Sequence, residues 1–145
     1  MSLASIFNIA GSGMSAESIR LNTTASNIAN ADTASSTAAG AYRARKPIFA
    51  AIQQGLMNGV ANGFDGQAPS MGVQVKGIVQ SDESLQMRYE PGSPMANKDG
   101  YVYYPNVNIA EEMADMMSAS RTYQTNVDVM NTAKTMMQRV LTLGQ

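Results

Sequence analysis

The sequence contains no cysteine and no histidine. A disulfide framework and a thiolate nucleophile are therefore excluded, and the commonest zinc ligands are missing. Histidine acid–base chemistry and catalytic triads are excluded with them. Charge is sparse and balanced, with 10 basic against 11 acidic residues. Neither nucleic acid nor an acidic membrane surface is implied as a main partner. No stretch approaches the roughly 20 apolar residues of a membrane span. The first ten residues carry no positive charge and no sustained apolar run. No secretory signal peptide is expected there, and the chain is expected either to stay in the cytoplasm or to leave it without a cleaved signal.

What the 145 residues do contain is helical periodicity at both ends. Ile109, Met113, Met116, Ser120, Tyr123, Val127, Met130, Lys134, Met137 and Leu141 recur at alternating four- and three-residue steps. Only Ser120 and Lys134 break the apolar character. This is the 3.5-residue period of a helix packed along its length against other helices. At about 1.5 Å per residue such a helix is roughly 50 Å long. A second stripe runs beside it, through Ala119, Thr122, Asn126, Val129, Ala133, Met136, Val140 and Leu143. Two stripes make one wide apolar face or two narrower contacts. Asn108 and Glu111 fit a capping box after Pro105. Acidic Glu111, Glu112 and Asp115 at the start, with Lys134 and Arg139 towards the end, suit the helix dipole. Gly144 is expected to stop the helix.

Leu3, Phe7, Ala10, Met14, Glu17, Leu21, Thr24 and Ile28 keep the same spacing at the other end, with Ser2 as a cap. Gly11 and Gly13 weaken that helix by about 1 kcal/mol each relative to alanine, or permit close helix approach. Asn27, Asn30, Asp32 and Thr33 end it with turn chemistry. Nine of the 12 glycines fall between Gly40 and Gly100. Asn58 to Ser70 reads as a loop. Val73 to Val79 and Leu85 to Tyr89 read as strands joined into a hairpin through Ser81 to Ser84. Val102 to Tyr104 reads as a short extended segment. The fold class is mainly α with a small β module, its antiparallel terminal helices bracketing a loop-rich β-hairpin insertion. The divisions expected are 1–32 and 106–145, one discontinuous helical domain, around a β module at 33–105.

Several motifs are set aside. Gly11-Ser-Gly-Met-Ser15 lacks the lysine and spacing of a phosphate loop, and reads as a small-residue helix contact. Arg43, Arg45 and Lys46 beside Tyr42 and Phe49 read as a solvated or protein-contacting surface. Glu111 and Glu112 are adjacent on a helix and do not face each other, so capping explains them better than paired-carboxylate catalysis. Twelve methionines read as core or interface filler and not as soft-metal ligands. No cofactor, nucleic acid or small-molecule substrate is expected.

Three blocks together resemble the flagellar axial proteins, the family of rod and hook subunits. They are Ala25-Ser-Asn-Ile-Ala-Asn-Ala31 with Tyr42-Arg-Ala-Arg-Lys-Pro-Ile-Phe49; Tyr89-Glu-Pro-Gly-Ser-Pro94 with Asp99-Gly-Tyr-Val102; and Pro105-Asn-Val-Asn-Ile-Ala-Glu-Glu-Met113 with the run from Ser118 to Gln145. The motif positions singled out are Asn27, Ala29, Asn30, Pro105, Asn106, Asn108 and Glu112. The chain departs from the family at Asp32-Thr33, where an asparagine-threonine pair is usual, and at Ser93, where histidine is common. The resemblance implies a non-enzymatic subunit of the proximal rod of the flagellar basal body, part of a hollow drive shaft that transmits torque and encloses the export channel. It implies export by the flagellar type III apparatus and a place in the periplasmic rod. Its partners would be further copies, other proximal and distal rod subunits, and the protein joining the rod to the export gate and MS ring. A soluble helical adaptor or export chaperone, a small enzyme with an unfamiliar site, and another rod position are the alternatives.

The stripes set a register: Leu3 beside Leu141, Ala10 beside Lys134 and Leu21 beside Tyr123, with Gly11 and Gly13 facing Ala133. The assembly seam expected is Leu3, Phe7, Met14, Leu21 and Ile28 with Ile109, Met113, Met116, Tyr123, Val127, Met130, Met137 and Leu141. Met113, Met117, Met130 and Met136 are expected to be buried only by neighbouring chains. The Gly55–Ser70 loop and the Val73–Tyr89 hairpin are expected on the outer surface, with Tyr101, Tyr103 and Tyr104 as contact anchors.

Overall fold

Two long helices carry the architecture of the computed structural model, which describes residues 3–53 and 70–143. Helix α1 runs Leu3–Ala29 and helix α2 runs Ile109–Leu143, 35 residues. Between them lie β1 (Arg45–Gln53), β2 (Ser70–Gln80), β3 (Gln86–Tyr89) and β4 (Tyr101–Tyr104). The Ser2 cap, most of the Gly55–Ser70 loop and the Gly144 stop lie outside the described residues.

Side chains finish both helices where they meet the β module. At the end of α1, Asn30 Nδ2 donates to Ser26 O at 2.8 Å, and Thr33 Oγ1 donates to Asn30 O at 2.7 Å. Each of these carbonyls also accepts a backbone N–H, so the side chains reinforce the last turn. Asn108 caps α2, its Oδ1 accepting from Ala110 N at 3.1 Å. The reciprocal half of the expected capping box is missing, because Glu111 instead pairs with Lys46 Nζ on β1 at 3.5 Å. Acidic residues occupy the first turn of α2, but no basic residue sits in its last turn.

The helices pack antiparallel, as their contacts show: Asn27 meets Glu112, Arg20 meets Asp115, and Gly13 abuts Asn126. This register is shifted by about five residues from the one the stripes predict. Leu21 aligns near Ser118, Ala10 near Val129 and Leu3 near Met136. A β-carbon on Gly13 would come within 2.9 Å of Asn126 Nδ2, whereas one on Gly11 would meet nothing. Gly13 therefore permits the close approach, and it faces Asn126 in place of Ala133.

The rotation of α2 also differs from expectation. Its innermost line is Glu112, Ala119 and Ala133, all buried, with Asn126 half-buried between them, one residue every heptad. Met116 and Met130 flank this line, half-buried. Ile109, Met113, Tyr123, Met137 and Leu141, all placed on the predicted seam, are exposed in the single chain. Small residues won the inner line because they let two backbones approach, and the larger side chains were turned to the flanks.

On its other side α1 carries a ribbon of β1 and β2, antiparallel, with Arg45 opposite Gln80 and Ala51 opposite Val73. Pro47 is tolerated because each strand has a free edge. The predicted hairpin of Val73–Val79 with Leu85–Tyr89 is not formed. β2 pairs with β1, and β3 pairs with β4 in a separate two-stranded sheet. Ser12 staples the ribbon to α1: its Oγ donates to Ile9 O at 2.8 Å and accepts from Val73 N at 3.1 Å. Gly72 takes φ +133° at this contact, and a β-carbon there would strike Ser12 Oγ.

The order is therefore α2, α1, ribbon, with α1 as the shared layer. Among the described residues, the buried apolar side chains are all small: Ala10, Ala16, Ala31, Ala41, Ala44, Ala119, Ala133, Val102, Val107 and Pro105. On α2 the hydroxyls of Thr122, Thr125, Thr132, Thr135 and Thr142 all donate to carbonyls one turn back in their own helix.

Candidate assembly surface

The family-motif residues converge where the end of α1, the start of β1 and the first turn of α2 meet. Asn27 is 1% exposed and uses its whole amide. Its Nδ2 donates to Arg45 O at 2.8 Å and to Glu112 Oε1 at 3.0 Å. Its Oδ1 accepts from Arg45 N at 2.9 Å and from Tyr42 OH at 2.9 Å. A buried amide has two donors and two acceptor lone pairs, so this one is saturated. Asn27 grips the backbone of Arg45 on both sides, as a neighbouring strand would, and ties it to α2.

Asn106 secures the adjacent residue. Its Oδ1 accepts from Ala44 N at 2.8 Å, and its Nδ2 donates to Glu83 O at 3.0 Å. Pro105 is fully buried behind it. Asn30 and Asn108 serve the two helix ends, as described above. Ala29 is exposed. Arg20 braces the helix pair, 2.9 Å from Asp115 and 3.7 Å from Glu17. The cluster read as a basic surface is divided among different tasks. Arg43 donates to Ser81 O at 3.2 Å, Arg45 lies over the Tyr42 ring, and Lys46 pairs with Glu111.

Its position in the sequence makes Glu112 a helix-start charge, and the structure buries it to 5% exposure. Burial holds its carboxyl above the usual carboxylate range; donation from Asn27 opposes this, and Asp115 adds to it. A carboxyl raised on folding adds stability below its unfolded pKa and loses that contribution as pH rises through the folded value. Glu112→Gln keeps an acceptor for Asn27 without the charge. Relative to the parent chain, this variant should gain stability between about pH 4 and pH 7. Denaturant unfolding at the two pH values checks this, and a difference that stays flat or reverses would contradict it. Pairing with Asn27 spans 85 residues of sequence. Only the common richness of the motif blocks in asparagine pointed to it.

The tyrosines expected as external anchors are largely engaged inside the chain. Tyr101 meets Tyr89 edge-to-face at 5.3 Å. Tyr103 exchanges backbone hydrogen bonds with Ser35. Tyr104 donates to Glu90 at 3.2 Å beneath Arg88, and burial with Glu90 holds its phenol above the ordinary value.

Outside the node the surface is apolar in bands. Phe7, Met14, Leu21 and Ile28 on α1, with Met116, Val127 and Met130 on α2, are half-buried within the chain. The side chain of Leu3 lies outside the described residues. Met113, Met117, Val129, Met136, Val140 and Leu141 are exposed along α2. A helix with one packing partner leaves its remaining apolar side chains on the surface, and bands of this kind mark contact sites.

Comparison with known proteins finds matches towards both ends of the chain. The family model described as flagella basal body rod protein matches residues 7–34. That described as flagellar basal body rod FlgEFG protein C-terminal matches residues 98–143. Among curated relatives, the flagellar basal-body rod protein FlgC of Salmonella typhimurium is 45% identical over 145 residues, covering the whole of both chains. The FlgC of Escherichia coli O6:H1 is 46% identical over the same full length. That of Borreliella burgdorferi is 35% identical over 160 residues, covering all of this chain and 99% of the other. Full-length identity at these levels, with matched blocks that supply both sides of the Asn27–Glu112 contact, places the chain in the flagellar basal-body rod protein FlgC family.

Proposed function

We propose that the chain is a structural subunit of the flagellar rod, whose α1–α2 layer packs against neighbouring subunits. One observation carries this reading. α2 packs on a single helix among the described elements, yet displays Met113, Val129, Met136 and Leu141 on its exposed flanks. An alanine-lined helix pair buries little apolar area by itself, and neighbours on those flanks supply the remainder. The seam through Met113, Met137 and Leu141 then acts between subunits, while Met116 and Met130 serve partly within one. The resemblance supports the finer reading: a place in the proximal rod within the periplasm, delivery by the type III apparatus without a cleaved leader, contacts with proximal and distal rod subunits and with the export-gate and MS-ring junction, and transmission of torque around an export channel. Residues 1–32 and 106–145 form the packing domain in this reading, and 33–105 the module that distinguishes this subunit's contacts. Catalysis has no part in it.

Met136→Asp tests it. The side chain is exposed in the single chain, so the variant should unfold within about 0.5 kcal/mol of the parent. In the assembled rod it would put an unpaired charge into an apolar contact, which is costly. Incorporation of the variant into basal bodies, and swimming, should be lost. Normal swimming would count against an assembly face. Met130→Asp is a poorer probe, because Met130 is half-buried within the chain and its loss disturbs folding as well.

A further inference from the structure

The chain has no cysteine, histidine or tryptophan, and 12 methionines. Thioethers are therefore its main targets for two-electron oxidation by hydroperoxides. Among the described residues the methionines fall into exposed and half-buried sets. Met117 is 70% exposed and Met113 is 53% exposed, one turn apart on one face of α2; Met136, at 54% on α2, and Met87, at 62% on β3, are as open but stand alone. Met14, Met116 and Met130 are half-buried. We propose that Met113 and Met117 form an oxidation site on the unassembled chain, and that sulfoxide formation there blocks docking of the next subunit. The docking half rests on the rod reading above; the reactivity half does not.

The chemistry is balanced. The thioether sulfur attacks the terminal oxygen of a hydroperoxide, the O–O bond breaks, and an S–O bond forms. The leaving oxygen takes a proton and departs as water or alcohol. Sulfur is oxidised by two electrons and the peroxide is reduced by two. An apolar, flexible side chain becomes polar, with a strong acceptor oxygen. In the free chain that oxygen faces solvent, so the fold is unchanged. Against an apolar neighbour it must be stripped of water without a partner, and the contact fails. Positions i and i+4 share one helix face, so the two lesions fall on the same contact. Once a neighbour covers that face, peroxide cannot reach it. Oxidation therefore acts on subunits awaiting assembly and spares those already placed.

Two measurements decide the matter. First, the purified chain is titrated with hydrogen peroxide and its peptides are weighed. Met113 and Met117 should convert about threefold or more faster than Met14, Met116 and Met130, following exposure. Equal rates overturn the proposal. Second, cells whose only copy is the tagged chain start building flagella under sublethal hydrogen peroxide, and tagged basal bodies are counted. The parent chain should show several-fold fewer than its untreated control, as should M136L, while M113L/M117L/M136L holds its own untreated count. An equal fall in the parent and the triple variant overturns the proposal, as does no fall in the parent or in M136L. Incorporation of the untreated parent reports separately on the rod reading. If it is absent, that reading fails and the peptide rates alone judge the oxidation site.

Discussion

Asn27→Ala should destabilise the chain by about 3–5 kcal/mol, a large share of the 5–15 kcal/mol that holds a typical domain together. The change removes four hydrogen bonds at once. Left behind are the Arg45 N–H and C=O, the Tyr42 hydroxyl and the buried Glu112 carboxyl. A buried polar group deprived of its partner costs about 1–3 kcal/mol, more if charged. Arg45 and Tyr42 recover part of this from water, since neither residue is buried. Asn27→Asp is the sharper variant, nearly the same shape but with a carboxylate facing the Glu112 oxygen across a 3.0 Å contact. It should be as damaging at neutral pH and less so in acid. Adding Glu112→Gln should recover part of the loss by giving the introduced carboxylate a donor. Equilibrium unfolding of the two single variants and the double gives the coupling. Additive losses would show that Asn27 acts through Arg45 and not through α2.

Gly72→Val should cost about 2–5 kcal/mol, with a different signature. Gly72 holds φ +133°, a region closed to L side chains, and strain of that kind costs about 1–3 kcal/mol. The new β-carbon would also strike Ser12 Oγ, which is itself engaged with Ile9 and Val73. Overpacking adds about 1–3 kcal/mol. The ribbon should lift from α1 while the α1–α2 pair persists. Hydrogen exchange at the Val73 amide reads this directly, through loss of its bond to Ser12. Gly77→Ala, on the same strand with nothing within 4 Å of an added β-carbon, is the control. It should change stability by less than about 1 kcal/mol. If the Val73 amide stayed protected in Gly72→Val, the Ser12 staple would not be what holds the ribbon.

The helices were legible because their period persists over many turns. The rotation of α2 was not. Two adjacent stripes were both apolar enough to be the inner one, and periodicity weighs large side chains more heavily than small ones. Ala119, Asn126 and Ala133 are inner because they are small, a property that hydropathy hides. The register followed from the same error, since the stripes align large residues while Gly13 and the Asn27–Glu112 contact set the true offset. The strand pairing is not legible at β1. Arg45-Lys-Pro47 reads as charge and a breaker, and a strand with a free edge tolerates both. With β1 hidden, β3 is the nearest strand in sequence to β2, although the partner of β2 is β1. The asparagine node was visible only as separated motif blocks, because nothing local distinguishes an amide that serves its own turn from one that reaches across the fold.

The threonines of α2 give that helix an unusual outer face. With each hydroxyl committed to its own backbone, Thr122, Thr125 and Thr132 turn methyl groups outward. Along the Thr125–Thr132 stretch a second helix meets hydroxyls already engaged with their own backbone, so a small axial slip there breaks no bond to them. Such a surface behaves as a bearing and not as a latch. Positional accuracy must then come from the other end of the molecule, where Asn27 and Asn106 lock the β module to the helices. Load applied at one place on the shaft would be shared by many compliant contacts along the helices and referenced to a single stiff joint.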